Sequence, residues 1–139
     1  TGEDQRKHAC KALLPDRPAE RLLREIDIMA NYTAGAAFGY GQPPSSLVAF
    51  AGAFTVHHAT RGTCLAIAME FCSGGDLREL VKKQGKRDLV TSKAVLRQLV
   101  RALVYLHKLD IVHRDLKPAN VLLVARESSR VRLADFGLA

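Results

Sequence analysis

The chain is poor in the features that mark several large protein classes. Among its 139 residues no apolar run nears the ~18 that a membrane-spanning helix needs. The longest candidate, LVAFAGAFTV at 47–56, reads as a strand. The opening stretch, TGEDQRKHACKALL, has no apolar signal-peptide core, and it begins with Thr1, so a segment of a longer product is expected. Only three cysteines occur (Cys10, Cys64, Cys72), none in a C-x-x-C pair. That argues against a disulfide framework and for reduced thiols in a cytoplasmic setting, with the nucleus left open. Glycines 35, 39 and 41 suggest a phosphate cradle, but no Gly-Lys-Ser/Thr follows, so 31–46 is expected to be a flexible insertion. Neither an internal repeat nor a low-complexity tract is present.

Acidic residues are also scarce: 14 against 21 basic ones, for a net charge of +7. The basic side chains are scattered, with few aromatics among them to stack on bases. Nucleic-acid binding is therefore not expected, and a basic surface tolerant of anionic ligands is. With 47% hydrophobic and 25% charged residues, the composition is that of an ordinary globular chain of at most one modest domain.

Patterning gives the element order. A strand is expected over 6–14 and a helix over 15–31, where Leu22, Ile26, Met29 and Ala30 recur at helical spacing. Glu25 falls on the same face, and spacing alone puts it at the helix edge in water. Strands 47–56 and 63–71 form a hairpin through VHHATRG, where His57 and His58 read as a solvent-exposed turn pair rather than a metal site. Gly74-Gly75 turns the chain into a short helix starting near Asp76. A long helix follows from Thr91 to about Lys108. Its apolar stripe is Leu96, Leu99, Val100, Leu103 and Leu106 or His107, with Arg97, Arg101 and Lys108 outward. Two short strands, 121–125 and 130–134, complete an α+β fold: a small strand-rich layer joined to a helical one.

The chemistry is concentrated in IVHRDLKPANVLL at 111–123, a loop between a long helix and a short strand pair. It gathers Asp115, Lys117 and Asn120, and Asp135 returns twenty residues after Asp115. Phosphoryl transfer needs parts of this kind: a carboxylate to orient a hydroxyl and take its proton, a cation for the moving phosphoryl group, and oxygen ligands for Mg²⁺.

On these residues the sequence resembles the eukaryotic protein kinase family, serine/threonine type. HRDLKPAN fits the family's catalytic loop and DFG at 135–137 its metal-binding motif. The resemblance implies Asp115 as catalytic base, Lys117 on the γ-phosphate, and Asn120 and Asp135 as Mg²⁺ ligands. Lysine two residues after the aspartate is the family's serine/threonine form. Arg114 would pair with a phosphorylated activation segment, and His113 would pack beneath Phe136. HACK at 8–11 resembles the strand-lysine motif, with Ala9 over adenine and Lys11 on the α- and β-phosphates. Glu25 then resembles the helix glutamate that pairs with that lysine, against the edge placement that spacing favours. MEFC at 69–72 resembles the hinge, with Met69 as gatekeeper and the backbones of Glu70 and Cys72 meeting adenine. Asp76 would reach the ribose, or cap the helix, or both, and Leu122 would floor the adenine pocket.

By the same resemblance, 1–69 is a partial N-lobe, 70–76 the hinge, and 77–139 the start of a helical C-lobe ending at DFG. Implied ligands are ATP and Mg²⁺, and the implied partner is a protein with a Ser or Thr hydroxyl. A family glycine-rich loop is not found before Lys11, where only Gly2 occurs. The expectation is a truncated kinase domain, poorly active alone. Its uncovered long-helix stripe would favour a regulatory protein partner.

Overall fold

The computed structural model describes residues 7–13, 19–60, 62–85, 88–126 and 128–139. Three antiparallel strands form the first layer: β1 (His8–Ala12), β2 (Phe50–His58) and β3 (Gly62–Glu70), with β3 central. Between β1 and β2 runs helix α1 (Glu20–Ala34). The second layer holds α2 (Leu77–Gln84), α3 (Leu89–Lys108) and a two-stranded ribbon of β4 (Val121–Leu123) and β5 (Val131–Leu133). One apolar cluster joins the layers, with Leu22, Met29 and Tyr32 from α1, Ile67 from β3, Val95 and Leu106 from α3, and Val121, Leu133 and Phe136. Among the described residues, no helix is long and apolar enough to cross a membrane.

The element order follows the sequence reading, but several boundaries move. β1 keeps the core of the expected 6–14, whose ends lie outside the described residues, as does the predicted helix entry at 15–18. At its other end α1 does not stop at Asn31. It runs to Ala34 and continues as a 3₁₀ turn over Gly35–Phe38, through part of the expected loop. Tertiary anchoring outweighs the glycine-rich composition here. The buried Tyr32 hydroxyl donates to the Val48 carbonyl at 2.5 Å, and Tyr105 of α3 donates to the carbonyls of Tyr32 (3.0 Å) and Gly41 (3.1 Å). Gly35 makes room for that clasp, since a Cβ there would sit 2.2 Å from the Tyr105 hydroxyl.

β2 starts at Phe50 rather than 47, because Leu47 and Val48 instead reach the second layer; Val48 N–H donates to the Leu133 carbonyl at 3.1 Å. β3 ends at Glu70, one residue short of expectation. His57 is exposed as expected but lies on β2, with its Nδ1 2.9 Å from the Thr63 hydroxyl. α2 begins after Asp76, whose carboxylate accepts the Glu79 N–H at 2.8 Å as an N-cap. α3 begins two residues early, because Asp88 caps it by accepting the Thr91 N–H at 2.9 Å.

The predicted stripe of α3 is only half right. Its inner face is Val95, Ala102, Tyr105 and Leu106, with Leu99 and Leu103 partly buried. Leu96, Val100 and Val104 are exposed, as is His107. Two polar ties set this rotation: the Tyr105 clasp, and Gln98, which accepts the Val131 N–H at 3.1 Å and donates to the Ser129 carbonyl at 2.7 Å. Arg97, Arg101 and Lys108 face solvent as expected.

The crossing from β3 to α2 is held at Gly74. Its N–H donates to the Leu123 carbonyl at 3.0 Å, and a Cβ there would lie 2.5 Å from the Ala125 carbonyl oxygen and 2.6 Å from the Leu123 Cβ. Gly74→Ala is therefore expected to lower stability by about 1–3 kcal/mol through overpacking. Chemical denaturation measures the loss, and a change within about 0.5 kcal/mol would contradict the tight approach.

Candidate active site

Lys11 sits on β1 with its side chain toward α1, and its Nζ donates to the Glu25 carboxylate at 2.5 Å. Glu25 is 2% exposed, among the most buried side chains of the chain. Spacing alone had placed it at the helix edge; the fold buries it, because a cation reaches it. Lys11 donates also to Asp135 Oδ1 at 3.1 Å. Burial by itself pushes the Lys11 ammonium down, but the bond and charge of Glu25, then Asp135, outweigh it and leave the pKa raised. A cavity of about 400 Å³ opens beside this triad, lined by Lys11, Leu13, Arg21, Glu25, Asp135 and Gly137 among others.

The loop after α3 holds the second cluster. Asp115 Oδ2 accepts from the Lys117 ammonium at 2.7 Å and from the Asn120 amide at 3.0 Å. The same amide donates to the Asp115 backbone carbonyl at 2.8 Å, which leaves the Asn120 amide oxygen as an open acceptor in the described structure. Lys117 and Asn120 hold the Asp115 carboxyl below the usual carboxylate range, so it is ionised at neutral pH.

Two backbone residues here adopt left-handed conformations, Arg114 (φ 59°) and Asp135 (φ 65°), each costing about 1–3 kcal/mol outside glycine. Packing and hydrogen bonds hold them. The Ala134 N–H donates to the Asn120 carbonyl at 2.9 Å, tying the two clusters together. His113 accepts the Asp115 N–H on Nδ1 (3.3 Å) and so presents Nε2–H to the Ala134 carbonyl (3.1 Å). Phe136 is fully buried between the rings of Tyr32 and His113, with centroids at 5.3 and 5.1 Å. His113 thus takes its expected place against Phe136.

The remaining expected positions lie along the crossing. Ala9 stands opposite Met69 in the β1–β3 register, and Glu70 ends β3. Leu122 on β4 bridges to Asp76, whose carboxylate is spent on the N-cap and on Arg78 at 3.5 Å. Between them, Cys72 uses neither its N–H nor its carbonyl in the hydrogen bonds of the described residues. Burial, then the Glu70 charge, raises its thiol pKa against the pull of Arg132; all three cysteines are free.

Sequence reasoning passed over Tyr32, Arg21 and Arg132. Tyr32 was legible in principle: it follows Glu25 and Met29 at helical spacing, and only the glycines beyond it argued for an earlier helix end. Arg21 lies beside Gly137, and Arg24 shares an open cleft with Arg114 and Asp110. Pairwise approaches of this kind carry no local signal.

Removing the partner of a buried charge costs more than removing both. Lys11→Met is expected to destabilise by about 1–3 kcal/mol, trimmed by the solvent that reaches the lysine, and Lys11→Met/Glu25→Met by less. Because the folded-state pKa of Lys11 is raised, its contribution is full below its unfolded value of about 10.4 and fades as pH rises beyond it. Denaturant titrations of both variants from pH 7 to 11 measure this. A double variant less stable than the single would contradict it.

The sequence matches the protein kinase domain family over residues 2–139. It is similar to calcium-dependent protein kinase 29 of Arabidopsis thaliana, 34% identical over 96% of this chain and 23% of that protein. Over 54% of this chain it is 49% identical to serine/threonine-protein kinase ppk25 of Schizosaccharomyces pombe and 44% identical to serine/threonine-protein kinase SBK1 of Mus musculus, covering 18% of each. The chain spans less than a quarter of the length of these relatives. With a match that begins at the second residue and runs to the last, this chain belongs to the protein kinase domain family.

Proposed function

We propose that the chain carries the nucleotide site and catalytic loop of an ATP-dependent serine/threonine protein kinase. The observation that carries the reading is the junction of two clusters: Asp115 held by Lys117 and Asn120, and Asp135 tied through Lys11 to the buried Glu25. The named relatives support the serine/threonine form, as does Lys117 two residues after Asp115.

In this reading Asp115 accepts the proton of a Ser or Thr hydroxyl as its oxygen attacks the γ-phosphorus. The bond from that phosphorus to the β,γ-bridging oxygen breaks, and ADP leaves with the electron pair. Lys117, bound to Asp115 in the free protein, turns to the γ-phosphate as charge shifts, and Lys11 holds the α- and β-phosphates. Asn120 and Asp135 offer an all-oxygen donor set that suits Mg²⁺, since the Asn120 amide hydrogens are already spent on Asp115. That ion, when bound, neutralises phosphate charge. Adenine fits against Ala9, Met69 and Leu122, with its edge on the Glu70 carbonyl and the unspent Cys72 peptide; Asp76 is the ribose contact once it shares its cap.

A second reading is favoured by one observation. Leu96, Val100 and Val104 form an exposed apolar row on α3. A chain acting as a regulatory module, through a protein partner seated on that row, would account for it.

Phosphotransfer from γ-labelled ATP to Ser, Thr and Tyr peptides tests the first reading. Label is expected on Ser and Thr, with Asp115→Asn slower by about 10²–10⁴-fold. Label transfer that survives Asp115→Asn would contradict the assigned base. The pH profile is a second check. With the Asp115 pKa depressed, the active carboxylate is lost only as pH falls below the ordinary aspartate value of about 3.9, so no acid limb is expected between pH 5 and 8. A limb near pH 6.5 would assign the base to another group.

A further inference from the structure

Arg132 makes a two-pronged ion pair with Glu70 across 62 residues of sequence: Nε to Oε2 at 2.7 Å and Nη2 to Oε1 at 3.0 Å. Both side chains are mostly shielded, at 14% and 27% exposure. A fork of this kind on a carboxylate is directional and strong compared with a flexible surface pair. It joins the end of β3 to the middle of β5. On the ribbon, Arg132 stands opposite Leu122, and Asp135 follows three residues on.

The tie completes a frame. On one side of Cys72, Glu70 is pinned by its N–H to the Ala49 carbonyl (2.9 Å) and by its carboxylate to Arg132. On the other, the N–H groups of Ser73 and Gly74 donate to the carbonyls of Val124 (3.2 Å) and Leu123 (3.0 Å) on or beside β4. Only Phe71 and Cys72 hang between the anchors, and among the described residues neither uses its N–H or carbonyl in a hydrogen bond.

We propose that Arg132 is a positioning residue for nucleotide binding: its clamp on Glu70 fixes the free Cys72 peptide against the β4–β5 ribbon that supports Leu122 and leads to Asp135. This rests on the kinase reading above. Breaking the clamp leaves a mostly shielded carboxylate or guanidinium without its partner and lets the crossing swing about its backbone bonds.

The test compares wild type with Arg132→Met, Glu70→Gln, Arg132→Lys and the charge swap Glu70→Arg/Arg132→Glu, each first confirmed folded by circular dichroism. Amide hydrogen exchange at Ser73 and Gly74 is read without nucleotide, and affinities are measured for Mg-ATP and for Mg-tripolyphosphate, which lacks the base. Arg132→Met and Glu70→Gln are expected to exchange faster and to bind Mg-ATP about tenfold more weakly, with tripolyphosphate unchanged. Arg132→Lys falls between, and the swap recovers both readouts. It also stands in should Arg132→Met not fold. Unchanged exchange in the uncoupled variants overturns the clamp. Faster exchange with unchanged Mg-ATP affinity, or equal weakening of ATP and tripolyphosphate, overturns the positioning role. A wild type that binds neither ligand overturns the kinase reading instead, and exchange alone then decides whether the clamp exists.

Discussion

A carboxylate buried on the apolar face of a helix is the constraint on which the rest depends. Glu25 is cut off from water, and an isolated ionised carboxylate there would be prohibitively costly. Lys11 removes that cost, so β1 and α1 cannot separate without exposing or stranding a charge. The same ammonium reaches Asp135, which places the turn after β5 under the sheet. Residues distant in sequence are thereby brought to one point before any ligand enters.

From that point order spreads through packing. Phe136, next to Asp135, fills the space between Tyr32 and His113, and His113 in turn orients the loop that carries Asp115. The strain at Arg114 and Asp135 is sustained because neighbours on both sides are fixed. Asp115 gains from this: its carboxylate is aimed by Lys117 and Asn120 rather than left to rotate in water. On the outer side of α3 that packing ends, and Leu96, Val100 and Val104 meet solvent. The buried cluster thus lies at the junction between the layers.

The sequence was most informative where the proposed site draws on one short stretch. Asp115, Lys117 and Asn120 sit within six residues, so their order alone identifies the loop. Asp76 as a cap was equally local. Glu25 was not: periodicity places a residue on a face but does not say whether a cation waits there, and only the family resemblance pointed to Lys11. The end of α1 was misjudged because glycine composition was weighed without the Tyr105 clasp, which comes from 73 residues away. The inner face of α3 was rotated for a similar reason, since Gln98 looks like a surface residue until its bonds to Ser129 and Val131 are known. Arg132 read as one more scattered basic residue, and its pairing with Glu70 exists only in three dimensions. Long-range polar contacts are what a pattern-based reading lacks.

The central claim is that Lys11, Glu25 and Asp135 form a preassembled site for magnesium nucleotide. Thermal melts with and without Mg-ATP, for wild type and Asp135→Asn, test it most directly, because a ligand that binds only the native state raises the midpoint with RT ln(1 + [L]/Kd). The account predicts a Mg²⁺-dependent rise for wild type and a much smaller one for the variant. Equal rises in both, or none in a wild type that melts cooperatively, would contradict it.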